Sequence, residues 1–257
     1  MSENELKWDI PVESVPLPSS GIVYPPDSVL YGRETLKIKA MTAKEEDILS
    51  SQAYIKEGTT ISRLVSSCLD DNSIDTGSLL LGDRSALMIS IRITGYGTNY
   101  KVKHTCGSCS SKNIVDVDLS ALKIKRLKNK PVKEGCNLFE YTLPVSGKKI
   151  LYKYLTAKDE EENTVKDKRR ESLGIKAEAS VTEFLEDIIV SIDGVSDRLK
   201  IKHFILNMPA LDSRKFRLDF KDSEPGIDMK WEYSCQNCNT HHDIVLPINS
   251  EFFWPTT

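Results

Sequence analysis

The stretch YSCQNCNTHHDIVLP (residues 233–247) places a Cys-x-x-Cys pair between two short apolar segments, close to the end of a 257-residue chain. Taken alone it reads as a redox motif, as half of a metal site or as a lone turn. A second stretch decides between these. YKVKHTCGSCSSKNIVDVDL (residues 100–119) and MKWEYSCQNCNTHHDIVLPI (residues 229–248) share one plan: a strand, a Cys-x-x-Cys, a few polar residues, then an apolar strand. One inserted residue brings Ile114-Val115 into line with Ile244-Val245. The repeat predicts two β-hairpins, each carrying two thiols at its tip.

Zn²⁺ takes four ligands at tetrahedral corners, and a two-residue spacer in a tight turn lets both sulfurs face one point. One such turn supplies half a site. Two facing turns complete it with Cys106, Cys109, Cys235 and Cys238. About 125 residues separate the pairs, far more than in an ordinary zinc ribbon. Residues 110–234 then form an insertion closed at its base by the metal, and loop closure grows costlier only slowly with length. An iron–sulfur cluster needs the same four thiolates and stays open as the second reading. A thioredoxin-like redox pair requires a strand-to-helix setting, which neither pair has. His104, His241 and His242 offer a replacement for one thiol or the completion of two separate sites; the simpler reading, with a full four-cysteine set, leaves them as hydrogen-bonding or surface residues. Cys136 has no partner at ligand spacing and reads as structural.

Around the hairpins the pattern is α+β, with mixed helices and short antiparallel hairpins. The first forty residues hold VPLPSSGIVYPPDSVLYG, whose prolines fix φ and disfavour helix before them. This predicts an extended strap laid on another surface. Thr42 and Glu45 form a capping box that opens a helix of about 15 residues ending near Gly58. Ile61, Leu64, Val65 and Cys68 follow at helical spacing, making Cys68 a core residue. GDRSALMISIRITGYG reads as a helix or a helix-to-strand passage, capped by Asp83 and stopped by Gly95 and Gly97. FEYTLPVSGKKILYKYLT predicts a hairpin turning at Ser146-Gly147. Thr156 caps a charged, exposed helix, SVTEFLEDIIVSIDG is amphipathic, and a short helix starts near Pro209 or Asp212. The aromatic end EFFWP suggests a tied-down terminus. The expected organisation is one compact unit: a Pro-rich arm (1–40), a helical segment (41–99), the first Cys-x-x-Cys hairpin (100–122), an inserted α+β segment (123–228), and the second hairpin with the aromatic end (229–257).

The net charge is −3, with hydrophobic residues at 39% and charged ones at 28%, the profile of a globular chain without a basic balance for nucleic acid. The basic run KIKRLKNKPVK (residues 123–133) reads as a solvated linker; as a phosphate-binding patch it supports a rival reading, a nucleic-acid-binding zinc-ribbon protein such as a transcription accessory factor. No apolar run is long enough to span a membrane, and the polar start lacks a signal-peptide core, which predicts a protein made and kept in a cytoplasm. Phosphate-loop, dinucleotide, nucleophile-elbow and metalloprotease motifs are missing, and four thiolates leave a zinc ion no open position for catalysis. The expectation is not an enzyme.

The segments LPSSGIVYP, TAKEEDIL, GDRSALMISIRITGYG, both Cys-x-x-Cys hairpins, IDGVSD, LDSRKFR, EPGID and EFFWP occur in an order that resembles the baseplate hub subunit and hub-assembly family of T4-like contractile-tailed bacteriophages. The resemblance runs from about residue 16 to residue 255. It implies a non-enzymatic late viral protein that helps to build the central hub of the tail baseplate. Its implied partners are other hub and tail proteins, with no small-molecule substrate. Its implied place is the host cytoplasm during assembly, with either retention in the virion tail baseplate or release after assembly left open.

Overall fold

The computed structural model describes residues 10–172, 180–248 and 250–253. The polar start of the chain (1–9) and Trp254 and Pro255 of the aromatic end lie outside the described residues. The fold is α+β.

Strand β1 (Val12–Pro16) pairs antiparallel with β2 (Thr35–Lys39), from Val12↔Lys39 to Pro16↔Thr35. The proline-rich stretch between them is folded into the molecule: Leu17, Val23, Tyr24 and Leu30 are buried in the main core. Helix α1 (Ala43–Ser50) starts as predicted, with the Glu45 carboxylate accepting from the Thr42 N–H at 2.9 Å. It does not run on to Gly58. Ser51 turns extended (φ −66°, ψ 110°), and its hydroxyl accepts from the Tyr54 N–H to open a separate α2 (Gln52–Glu57). Serine competes with the helix in this way because its side chain offers the backbone another acceptor. Helix α3 (Thr60–Cys68) buries Leu64, Val65 and Cys68. Burial, then the charge of Glu45, pushes the Cys68 thiol up to about 12, so it sits in the core as a neutral group.

Helix α4 (Leu81–Tyr96) is continuous and nearly surrounded, with Leu87, Ile91 and Arg92 among its buried residues. Gly95 does not stop it; Gly97 does, at φ +80°. Asp83 is not its cap but lies inside the first turn, where it accepts from the Ser19 amide (2.9 Å), the Ser19 hydroxyl (2.5 Å) and the Tyr24 hydroxyl (2.5 Å). Tyr24 in turn accepts from the Leu80 N–H at 3.0 Å, and so satisfies the helix start through a residue remote in sequence. Gly82 is needed where α4 meets the chain at residues 225–226. A Cβ there would lie 1.9 Å from the Pro225 carbonyl oxygen.

Strands β3 (Asn99–Thr105) and β4 (Lys112–Asp118) form the first hairpin, from Asn99↔Asp118 to Thr105↔Lys112. Tyr100, Val102, Val115 and Val117 face inward, as the alternation requires. The basic run after it holds β5 (Ile124–Lys125), and several of its charges bond to neighbouring segments at or near the surface. Lys125 donates to the Lys221 carbonyl (2.8 Å), Arg126 to the Leu17 carbonyl (2.7 Å), and Lys128 pairs with Asp222 (2.6 Å).

The remainder of the insert is built on a three-stranded antiparallel sheet. Its strands are β6 (Phe139–Thr142), β7 (Lys149–Tyr152) and β8 (Ile189–Ile192), in the order β6-β7-β8. Helix α5 (Ala157–Ser172) separates them, opened by Thr156 and Asp159 bonded to each other's backbone. Its Lys168 donates to the Ile55 and Lys56 carbonyls at the end of α2, and its Glu160 pairs with Arg84. Helix α6 (Val181–Ile188) converts directly into β8. Helices α7 (Arg198–Leu206) and α8 (Ala210–Ser223) follow, the latter longer than predicted. Phe216 and Phe220 of α8 pack on Tyr152 and Tyr154, with ring centroids 5.1–5.8 Å apart. Asp212 accepts from the Val145 and Ser146 amides of the β6–β7 turn.

Strand β9 (Gly226–Ile227) returns to pair with β5, bringing the chain to the second hairpin, β10 (Lys230–Ser234) and β11 (His241–Val245). Helix α9 (Ser250–Phe253) closes the described chain with Phe252 and Phe253 buried. The aromatic end is therefore tied down as far as Phe253. Phe252 stands edge-on to Tyr100 at 5.2 Å, and the Tyr100 hydroxyl donates to the Pro247 carbonyl at 2.8 Å. Arg92 donates to the carbonyls of Phe252 (2.6 Å), Gly97 (2.8 Å) and Asn99 (3.0 Å). The bases of both hairpins are thus anchored beside the end of α4.

Candidate metal centre

The two hairpin tips repeat each other down to their hydrogen bonds. In the first, the Cys106 N–H donates to the Ser111 carbonyl and the Ser110 N–H to the Cys106 carbonyl, each at 2.9 Å. In the second, Cys235 N–H to Thr240 and Asn239 N–H to Cys235 give the same two bonds at the same 2.9 Å. Ser110 and Asn239 occupy the matching positive-φ position, at 59° and 56°. This tight turn brings each pair of sulfurs to one side.

The tips face each other across the sequence insert. Cys106 Sγ lies 3.7 Å from Cys238 Sγ, and Cys109 Sγ lies 3.7 Å from Cys235 Sγ. All four sulfurs lie within 4.8 Å of one another. A disulfide needs about 2.05 Å, so these are four free thiols converging on a point. Four ligands 2.3 Å from one zinc ion would stand about 3.8 Å apart at tetrahedral corners. The donor set and its spacing therefore fit a single thiophilic ion.

The surroundings shift these thiols in different directions. The Ser111 hydroxyl, then the Cys238 amide, pull the Cys235 thiol down to about 5. The Asn237 and Ser111 side chains bring Cys109 down to about 7. Burial pushes Cys106 up. Four thiols this close cannot all ionise unaided, because like charges disfavour each other, and a bound cation reverses that. Cys106 and Cys235 are buried, Cys109 is half-buried and Cys238 is exposed.

Some participants escaped the sequence reading. Ser111 Oγ stands 3.1 Å from Cys109 Sγ and 3.3 Å from Cys235 Sγ, and Thr240 Oγ1 stands 3.2 Å from Cys238 Sγ. Each is the fifth residue after the first cysteine of its hairpin, so the internal repeat itself was the available signal. The three histidines separate clearly. His242 Nε2 lies 3.1 Å from Cys106 Sγ. His104 is one layer out, with Nδ1 2.6 Å from the Tyr233 hydroxyl. His241 points to the exposed side, with Nδ1 2.9 Å from Ser234 Oγ. Cys136 is half-buried and is not among the four clustered thiols.

The fold and this centre define an α+β protein whose two remote hairpins meet at four thiols. Residues 24–254 match the family described as T4 bacteriophage base plate protein, and the chain belongs to that family. No curated protein and no solved structure matches it. Among the described residues no helix is long and apolar enough to cross a membrane.

Proposed function

We propose that the protein is a structural or assembly component of the central hub of a contractile phage tail baseplate. It works by contact with other hub and tail proteins and catalyses no reaction. Cys106, Cys109, Cys235 and Cys238 hold a structural Zn²⁺ that joins the two hairpins. The family match over residues 24–254 is the observation that carries the baseplate reading, and the converging thiols support the metal.

When bound, the ion supplies charge neutralisation for four sulfurs and a crosslink between segments about 125 residues apart in sequence. Closing so long a loop restricts the unfolded chain more than closing a short one. Four thiolates fill the coordination of zinc and leave no place for a substrate. The sulfur spacing also favours one ion over an iron–sulfur cluster, in which the thiolates bind different irons and stand farther apart. The rival reading as a nucleic-acid binder leans on the basic run, part of which is bonded within the chain: Arg126 to the Leu17 carbonyl, and Lys128 to Asp222 in an exposed pair. The protein would be present in the host cytoplasm while the baseplate is built.

Capture of the tagged chain from infected cells late in growth, with mass spectrometry of purified tails, tests this. Co-isolation with hub components is expected. A chain found in neither hub intermediates nor tails overturns the proposal.

A further inference from the structure

The seventh residue after the first cysteine is Asn113 in one hairpin and His242 in the other. Their cross-strand partners also match, since His104 pairs with Asn113 and Tyr233 with His242. Each of the two reaches across to the other hairpin. Asn113 Nδ2 lies 3.5 Å from Cys235 Sγ, and His242 Nε2 lies 3.1 Å from Cys106 Sγ. Asn113 is buried, and its Oδ1 accepts from the Gln236 N–H at 3.1 Å, which fixes its amide with the NH₂ toward sulfur. The His242 ring is stacked on Tyr233 at 5.5 Å and 27°, with His104 at 5.8 Å on its other neighbour contact.

We infer that Asn113 and His242 are a reciprocal pair of positioning residues: each donates an N–H to the first cysteine of the opposite hairpin, and together they hold the two half-sites in register and make them retain metal. This rests on the metal reading above. It makes His242 a donor to a ligand and not itself a ligand. A nitrogen sharing an ion with Cys106 would stand about 3.6 Å from that sulfur at tetrahedral corners. The 3.1 Å contact is that of a hydrogen bond, and four sulfurs already complete the set. Sulfurs that receive N–H donors carry less excess charge and keep their orientation, and partners of this kind typically govern metal affinity by about 10–100-fold.

The test uses the full-length protein loaded with Co²⁺ and compares it with His242→Phe, His242→Gln, Asn113→Leu and Asn113→Asp. The expected wild-type spectrum is that of four-sulfur tetrahedral cobalt. His242→Phe and Asn113→Leu should keep that spectrum yet lose cobalt to a chelator at least about tenfold faster. His242→Gln restores a donor and should recover most of the retention, whereas Asn113→Asp puts an acceptor against sulfur and should not. Two results overturn the inference while leaving the metal site standing: unchanged release in both His242→Phe and Asn113→Leu, or a three-sulfur, one-nitrogen spectrum that His242→Phe alone abolishes. Wild-type protein that takes up no cobalt overturns the metal reading, and this inference with it.

Discussion

Replacing Arg92 by methionine isolates one anchor of the fold. The side chain is fully buried, and its guanidinium donates to three main-chain carbonyls, those of Phe252, Gly97 and Asn99. These lie at the end of the chain, the end of α4 and the start of β3, so a single residue joins three segments at the base of the hairpins. Methionine keeps the apolar stem and removes every donor. A buried acceptor that loses a donor costs about 1–3 kcal/mol. Two of the three bonds are only part-buried, so water can reach those carbonyls and the low end of that range applies. Three acceptors at about 1 kcal/mol each give about 3 kcal/mol. In a chain of this size each kcal/mol moves the melting temperature by about 2–4 °C, which predicts a drop of about 6–12 °C. Circular-dichroism melts and urea titrations of metal-loaded protein measure it. Arg92→Lys, with one compact charge in place of the fork, should recover only part of the loss. A methionine variant that melts within about 2 °C of wild type refutes the reasoning.

Gly82→Ala should destabilise despite alanine's helix propensity, because its Cβ would press to 1.9 Å on the Pro225 carbonyl; we expect a loss of at least about 2 kcal/mol in urea unfolding, and a gain in stability would contradict the close approach. Asp212→Asn tests a pH-linked contact. Burial alone would raise the Asp212 carboxyl, but the Val145 and Ser146 amide donors outweigh it and hold it below the usual carboxylate value. Its stabilisation is therefore present above the unfolded-state pKa and is lost as pH falls through the lower folded one. The stability gap between wild type and Asp212→Asn should be open at neutral pH and close in acid, and a gap constant across the titration would count against it. Cys106→Ser and Cys235→Ser should each release the metal and lower the melting temperature; melts unaffected by both contradict a shared structural site.

The clustering of the four cysteines was legible because the chemistry constrains the sequence at short range. A two-residue spacer in a tight turn is a local requirement, and two copies of it in matching hairpins name Cys106, Cys109, Cys235 and Cys238. Which side chains stand against those thiols was not legible, since Asn113 and His242 reach sulfurs across the junction of two segments that only the fold brings together. The same reason hid the role of Asp83, whose partners Ser19 and Tyr24 lie in the proline-rich stretch. At Ser51 the helical pattern continues in sequence while a side-chain acceptor splits it. From Ile188 the largely β-branched run IIVSI carries on from an amphipathic helix without punctuation, and pairing with β7 turns residues 189–192 into a strand. Helix α7 reads as alternating basic and apolar residues, a pattern that masks its buried Ile201 and Ile205. In each case tertiary contacts overrode a local preference that was weak to begin with.

The central claim is that two hairpins remote in sequence share one metal ion. Elemental analysis of the purified full-length protein tests it most directly. The account predicts about one zinc per chain, with all four thiols shielded from alkylation until a chelator removes the ion. Protein that carries no metal, or that carries iron with inorganic sulfide, would contradict it.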